Sequence, residues 1–185
     1  MRMDFARGRQ RRRPVAHVLA LALALALALV ASGASAVEPG DPAPAFAVPA
    51  IDGGADIRLE AYRGKVVYLD FWASWCAPCL TSLPQLDELQ RELGDDGFQV
   101  VAVNVDTDPD KARRFLAKFG VAYPSATDPK GTVPSTYQIS TMPTSFLIDA
   151  NGVVRYVHEG FRQGDVGELR GRIRELLSVP AAPAR

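Results

Sequence analysis

The sequence predicts a three-layer α/β domain built around a mixed sheet. Two dense apolar runs that are rich in β-branched residues, 66–72 and 99–105, are typical of buried strands. A helical pattern of apolar residues follows each of them, over 78–93 and over 109–119. Because helices that alternate with buried strands pack as layers around a shared sheet, this order indicates an α/β fold.

Three further segments complete the predicted order of elements. They are an N-terminal β-hairpin, a later β-hairpin that turns at Asn-Gly, and a last helix, over 46–59, 144–157 and 165–177. Asp165 is expected to cap the last helix, with Glu168 three residues later forming a capping box.

Length and composition place the chain among globular proteins. Its 185 residues are 48% hydrophobic and 23% charged, which excludes a disordered or fibrous chain. The net charge is zero, but residues 1–36 hold six Arg against one Asp, and the rest holds 15 basic against 20 acidic residues. Since no Lys/Arg cluster follows residue 36, a general nucleic-acid binder is excluded. Residues 37–178 are expected to form one domain, and 179–185 a frayed tail.

Residues 1–36 have the three-part layout of a secretory signal. A basic stretch ends at Arg13, an apolar run covers 18–31, and small residues end in an A-x-A pattern at Ala36. We expect cleavage after Ala36; the alternative is an uncleaved signal anchor. Either one places the remaining chain in the periplasm or on the extracytoplasmic face of the membrane. Export by the general secretory route and export by the twin-Arg route both stay open.

The two cysteines of the chain, Cys76 and Cys79, lie where a predicted strand gives way to a predicted helix. At a helix N-terminus the free N–H groups and the helix dipole stabilise an anion, so a Cys76 thiolate is expected to be nucleophilic. Cys79 lies one turn later on the same side and can close a short disulfide with it. The pair therefore predicts a redox-active dithiol.

Three other roles compete with redox chemistry at this pair. Half of a four-thiolate zinc site is excluded because the chain has no second pair. A structural disulfide across so small a loop would remove little entropy from the unfolded chain. A copper(I) thiolate site stays open, because soft thiolates suit that ion.

Motifs on both sides of the cysteines carry a more specific resemblance. From about Pro39 to Leu177 the chain resembles the thioredoxin superfamily, and within it the exported, redoxin-related oxidoreductases of the TlpA/ResA type. The motifs are G-D-P-A-P-A-F (40–46), Y-R-G-K (62–65), F-W-A-S-W-C-A-P-C (71–79), the helix Pro84, and M-P-T-S-F-L-I-D-A-N-G (142–152). The resemblance implies a thioredoxin-like fold, a central mixed four-stranded sheet flanked by helices, here with an added N-terminal β-hairpin.

The resemblance also implies a substrate-binding rim beside the cysteines. The Met142–Pro143 peptide bond is expected to be cis and to lie next to Cys76, where the backbone of Met142 could pair with an extended partner chain. The substrate-binding residues would be Trp75, Pro78, Met142, Pro143 and Thr144. The alternative is that Pro143 simply starts the following strand.

Asp70 is a carboxylate inside a run that predicts a buried strand. Burying an ionised carboxylate is costly, so its pKa is expected to be raised. Thioredoxin has an Asp at this position that handles the proton of the second Cys, which implies a catalytic role for Asp70 beside Cys79. The alternative is a carboxylate bonded to backbone at the sheet edge.

Two positions depart from the patterns of the family. Ala102 stands where thioredoxin has the Lys that partners its Asp. The acidic residue that ResA-type proteins place after the second strand aligns best with Thr107, so a role for Thr107 or its acidic neighbours stays open.

Together these features predict an exported protein-disulfide reductase that acts on specific partner proteins. The resemblance suggests apocytochrome c or copper-site proteins as substrates and a membrane thiol carrier as the reductant donor. No cofactor, metal or nucleic acid is expected, and the protein is expected to be a monomer. The alternatives are a copper(I) metallochaperone and a general disulfide oxidant or isomerase. Copper-delivery relatives use C-x-x-x-C and a later His, a spacing that Cys76, Cys79 and His158 do not match.

Overall fold

The computed structural model describes residues 36–179, so all but the last residue of the predicted signal and all but the first residue of the predicted tail lie outside the described residues. Within this range no helix combines the length and the apolar character needed to cross a bilayer. The strands are β1 (Ala47–Val48), β2 (Ile57–Arg58), β3 (Val66–Trp72), β4 (Phe98–Asn104), β5 (Ser125–Thr127), β6 (Thr144–Ile148) and β7 (Val154–Glu159). The helices are α1 (Ala77–Leu93), α2 (Pro109–Phe119), α3 (Thr132–Thr136) and α4 (Asp165–Leu177).

Five strands form the central sheet, in the order β5-β4-β3-β6-β7. β3 pairs in parallel with β4 and antiparallel with β6, so the two apolar runs of the sequence become neighbours in the middle of the sheet. β1 and β2 form the separate antiparallel hairpin. The predicted fold class is confirmed, with one strand more than expected because the short β5 pairs with the outer side of β4.

Two apolar clusters fill the opposite faces of this sheet. Tyr68 and Trp72 of β3 belong to the cluster that is covered by α1 and α4. Leu69 and Phe71 belong to the cluster that is covered by the hairpin and α3. Because side chains alternate along a strand, Asp70 faces the same layer as Tyr68 and Trp72. This is the layer that also contains both cysteines.

The N-terminal segment 40–51 is hydrogen-bonded to both outer strands of the sheet. At one edge, the Gly40 N–H donates to the carbonyl of Val154 at 2.8 Å. At the other edge, the Ile51 N–H donates to the carbonyl of Ser125, also at 2.8 Å. The segment therefore crosses from β7 to β5 and holds the hairpin against the domain.

The last helix does not begin with the expected capping box, so that prediction is wrong. The N-cap is Gly164, with φ of 102° and no side-chain cap. The carboxylate of Asp165 instead accepts the N–H of Arg162 at 2.7 Å. Since Gly adopts a left-handed conformation at little cost, the chain can enter the helix without a capping side chain.

Candidate active site

The junction of β3 and α1 makes the two cysteines unequal. Cys76 is the N-cap of α1 in an extended conformation, and its Sγ accepts a hydrogen bond from the Cys79 N–H at 3.3 Å. Pro78 sits in the first helical turn, where its missing N–H costs no hydrogen bond. Cys76 is 4% exposed and Cys79 is fully buried. A partner molecule can therefore approach the first sulfur more readily than the second.

The two cysteines form a disulfide, with their Cα atoms 5.3 Å apart. The chain is thus described in its oxidised state. Among residues 36–179 no group of three or more His, Cys, Asp and Glu side chains could hold a metal ion. Both ring nitrogens of His158 lie within hydrogen-bonding distance of protein oxygens, on Tyr68 and Asp165, so this imidazole offers no free nitrogen to a metal.

Two of the predicted rim residues, Met142 and Pro143, directly precede β6 at the end of the sheet where β3 ends. The Met142–Pro143 bond is cis, as predicted. Thr144 begins β6 opposite Phe71, one residue before β3 ends, so Pro143 and the cysteine loop emerge side by side. Met142 packs against the apolar cluster that contains both cysteines. Trp75, next to Cys76, is 68% exposed and offers an aromatic surface beside the disulfide.

Pro78 and Thr144 occupy different surroundings. Pro78 is exposed on the first turn of α1. Thr144 is buried, and its hydroxyl donates to the carbonyl of Thr141 at 3.0 Å. The Thr144 side chain is therefore committed to the turn before β6, and its part in substrate binding stays a prediction.

Asp70 is buried in the central strand rather than at a sheet edge, and its partner is a side chain. Its register neighbours are Ala102 on β4 and Ser145 on β6. The Ser145 hydroxyl donates to Asp70 Oδ1 at 2.7 Å, while Oδ2 has no hydrogen-bond partner among the described residues. Burial raises the pKa of the Asp70 carboxyl to about 7, and the Ser145 hydrogen bond opposes this rise. The alternative of a backbone-bonded edge carboxylate is excluded.

A second buried carboxylate, Asp106, accepts hydrogen bonds from the loop that carries Cys76. Its Oδ2 accepts the Ser74 N–H at 3.0 Å, and its Oδ1 accepts the Ser74 hydroxyl at 3.1 Å. The Asn104 side-chain amide donates to Oδ2 at 2.9 Å. These bonds fix the loop two residues before Cys76. Sequence reasoning singled out the stretch around Thr107 but did not identify Asp106 within it.

The neighbours of Asp106 do not reach the loop in the same way. Thr107 is exposed. Asp108 is the N-cap of α2 and accepts the Asp110 N–H at 3.1 Å. Asp106 is therefore the acidic residue of this stretch that contacts the cysteine loop.

These features together define a class of protein. A dithiol at the start of the helix that leaves a central strand, beside a cis-proline loop on a mixed sheet, is the arrangement of thioredoxin-fold oxidoreductases. Residues 38–173 match the family model described as Redoxin, and the chain belongs to this family. It is a thiol–disulfide oxidoreductase of the thioredoxin superfamily, similar to the ResA and TlpA proteins.

Named relatives agree with this assignment. The chain is 36% identical over 126 residues to the thiol-disulfide oxidoreductase ResA of Geobacillus thermodenitrificans, covering 68% of this chain and 72% of that protein. It is 35% identical over 137 residues to ResA of Bacillus thuringiensis, covering 74% and 78% of the two chains. Among solved structures, the thiol:disulfide interchange protein DsbE of Chlorobium tepidum is similar, with 45% identity and a TM-score of 0.74. That match covers 77% of this chain and all of the other.

Proposed function

We propose that the protein is an exported protein-disulfide reductase, in which Cys76 attacks the substrate and Cys79 resolves the adduct. The observation that carries the proposal is the inequality of the two sulfurs. Cys76 caps the helix and receives an N–H hydrogen bond, whereas Cys79 is fully buried behind it. Thiol–disulfide exchange requires one accessible nucleophile and one resolving thiol that waits nearby.

The exchange proceeds in two steps. The Cys76 thiolate attacks one sulfur of the substrate disulfide; a Cys76–substrate bond forms, the substrate bond breaks, and the released thiolate takes a proton from water. Cys79 then loses its proton and attacks the Cys76 sulfur, so that the Cys76–Cys79 disulfide forms and the second substrate thiolate leaves. Two electrons pass from the dithiol to the substrate. A membrane thiol carrier would return them.

Asp70 is the proposed acceptor of the Cys79 proton. It faces the sheet layer that contains both cysteines, and a carboxyl with a pKa of about 7 can take up and release a proton near neutral pH. Its burial keeps bulk water from competing for this proton.

The substrate would lie across the rim formed by Trp75, Pro78, Met142, Pro143 and Thr144. The exposed Trp75 ring supplies an apolar anchor next to Cys76. The backbone of the Met142–Thr144 turn supplies hydrogen-bonding groups for an extended segment of the partner protein. Thr144 would contribute its backbone, since its hydroxyl is bonded to Thr141.

Export and the choice of partner belong to the same proposal. The basic, apolar and small-residue blocks of residues 1–36 support secretion, with 37–178 as the exported domain. Apocytochrome c and copper-site proteins are the proposed substrates, since their cysteines must be reduced before they bind haem or copper. Fractionation of cells and sequencing of the mature N-terminus test this directly: cleavage after Ala36 is expected, and a cytoplasmic full-length chain contradicts it.

A trapping experiment tests the mechanism. The Cys79→Ser variant is expected to accumulate a covalent complex with its partner that a reductant releases, because the adduct on Cys76 cannot be resolved. The Cys76→Ser variant is the matched control, since it keeps only the buried thiol and should capture nothing. A folded Cys79→Ser protein that forms no such complex contradicts the mechanism.

The redox potential tests the direction of the reaction. A reductase is expected near the thioredoxin value of about −270 mV rather than near the DsbA value of about −120 mV. Equilibration with a thiol–disulfide buffer followed by alkylation measures it. A potential near the DsbA value contradicts the reductase and favours an oxidant. Stoichiometric retention of copper(I) through gel filtration with no disulfide reduction favours a metallochaperone.

A further inference from the structure

Two hydrogen-bonded groups of side chains lie between Asp70 and the surface of the protein. In the inner group, the Ser145 hydroxyl donates to Asp70 Oδ1 at 2.7 Å. In the outer group, His158 Nε2 lies 3.1 Å from Asp165 Oδ2, and Nδ1 lies 3.0 Å from the Tyr68 hydroxyl. Asp165 is partly exposed, whereas the other four side chains are buried.

The sheet register places the inner group, Asp70 and Ser145, beside His158 of the outer group. Ser145 pairs with Asp70 on β3 and with His158 on β7, so the three residues form one row across the sheet. Tyr68 lies two residues before Asp70 on the same face and reaches over β6 to His158, which brings its hydroxyl past Ser145. Burial raises the pKa of Tyr68 and the Ser145 side chain opposes this rise, so the two hydroxyls lie close enough to interact.

Asp70 has no direct contact with solvent through which to exchange a proton. The residue is 1% exposed, and Cys79, in the same layer of the sheet, is fully buried. Within residues 36–179, the hydrogen bond to the Asp70 carboxyl comes from Ser145. A proton that reaches Asp70 therefore needs either an opening of the core or a route through Ser145.

We propose that Ser145, Tyr68 and His158 form a proton relay between Asp70 and solvent at Asp165. The proposal rests on the proposed function, in which Asp70 accepts the Cys79 proton. Protonated Asp70 donates to Ser145 Oγ as the Ser145 proton passes to the Tyr68 hydroxyl. The Tyr68 proton passes to His158 Nδ1, and the Nε2 proton passes to Asp165 and then to water. Each hydroxyl gains one proton as it loses another, so neither carries a charge.

The other ionisable groups near Asp70 do not provide such a route. Burial raises the pKa of Tyr123, and the charges of Asp70 and of Asp87 on α1 raise it further, so Tyr123 lies near Asp70. Its hydroxyl, however, donates to the backbone carbonyl of Leu83 at 3.4 Å, where a proton path ends. Asp87 is bound to Arg91 and to the Ala122 N–H.

The outer end of the relay opens into a polar cleft. Glu168 of α4 lines this cleft together with His158 and Asp165. Arg172 bonds Glu168 at 2.8 Å and stacks over the Tyr156 ring, which itself stacks on His158. The cleft therefore offers carboxylates that can take the proton from His158 and pass it to water.

A pH-jump experiment with dithiobis(nitrobenzoate) tests the relay. This reagent forms a mixed disulfide with Cys76 and releases one coloured thiolate; resolution by Cys79 releases the second. The adduct is formed well below the Asp70 pKa of about 7, where resolution is slow, and is then jumped in a stopped-flow instrument to a pH well above it. The rate at which the second thiolate is released after the jump is then divided by the rate of the same release in protein kept at the high pH throughout.

The ratio of the two rates is expected to be near one in wild type, because the relay removes the proton from Asp70 before Cys79 begins to resolve the adduct. In Tyr68→Phe, which keeps the buried ring, the ratio should fall at least about tenfold, the factor that a local opening of about 1.4 kcal/mol imposes. His158→Phe, which keeps the stack on Tyr156, should lower it similarly. Tyr137→Phe is the control and should leave it near one, since this buried tyrosine lies on the opposite face and donates to Pro44.

Ratios near one in folded Tyr68→Phe and His158→Phe overturn the relay. A variant that merely packs less well slows both arms equally and leaves the ratio unchanged, which also counts against the relay. The Asp70→Asn variant separates this failure from that of the proposed function. If the resolution rate depends on pH in the same way in Asp70→Asn and wild type, the role of Asp70 as proton acceptor is what has failed.

Discussion

Replacing Asp70 by Asn should stabilise the oxidised protein at alkaline pH. The Asp70 carboxyl titrates near 3.8 in the unfolded chain and at about 7 in the native one. Between these values the native protein holds a proton that the unfolded chain has released, so the free energy of unfolding falls as pH rises. Each pH unit in this window costs about 1.4 kcal/mol, which gives a loss of about 4 kcal/mol above the native pKa.

The Asn side chain does not ionise, so it removes this loss of stability, but it adds a smaller destabilisation of its own. Its Oδ1 can accept the Ser145 hydroxyl as Asp70 does, but its amide nitrogen takes the place of an oxygen without a partner. An unsatisfied buried donor costs about 1 kcal/mol. We therefore expect the variant to be about 3 kcal/mol more stable than wild type well above the native pKa, and about 1 kcal/mol less stable well below the unfolded one.

Urea unfolding of both proteins at several pH values measures this difference, and a rise in Tm of about 6–12 °C at alkaline pH should accompany it. Asp106→Asn is the matched control: its amide nitrogen replaces one of the two oxygens that accept the Ser74 N–H and hydroxyl, so it should destabilise the protein at neutral and at alkaline pH. A stability difference between Asp70→Asn and wild type that does not change with pH refutes the reasoning, because it would mean that the native carboxyl is not held protonated by burial.

Two further predictions concern the partners of the site. Ser145→Ala removes a hydrogen bond that favours the ionised form of Asp70, so its pKa should rise further, moving the pH dependence of mixed-disulfide resolution upward by about one pH unit; an unchanged midpoint argues against this bond. Trp75→Ala should change the free energy of unfolding by less than about 0.5 kcal/mol, since the side chain is 68% exposed. It should nevertheless slow the reduction of a protein disulfide more than that of a small aromatic one, and equal slowing of both reactions argues against a role in recognition.

The elements with a long apolar pattern and the two hairpins were predictable from the sequence, whereas the short β5 and α3 were not. β3 and β4 each hold seven residues of unbroken or nearly unbroken burial, which the apolar runs indicate directly. β5 has three residues and α3 has five, with a Pro inside, so neither covers enough chain to show a period. Their positions depend on pairing with β4 and on packing under the sheet, which are tertiary contacts.

The site divides in a similar way. The cysteines, the cis-proline turn and the burial of Asp70 follow from local motifs and hydrophobic runs. The Ser145 partner lies 75 residues from Asp70 and is selected by the antiparallel register of β3 and β6, which the sequence alone does not specify. Asp106 adjoins Thr107 in the sequence, but only the fold reveals that Asp106, and not Thr107, bonds to Ser74. Short polar residues of this kind have no pattern that distinguishes a structural clamp from a solvated loop.

The segment 40–51 bears on the order in which the molecule folds. It is among the first parts of the described chain to be synthesised, yet its partners at Val154 and Ser125 come much later in the chain. Contacts of such long sequence separation close large loops and form slowly. The segment must therefore wait for the finished sheet. Until then the outer edge of β5 is unpaired and can bind strands of other molecules. Folding of this domain is therefore complete only when segment 40–51 has bonded to β7 and β5.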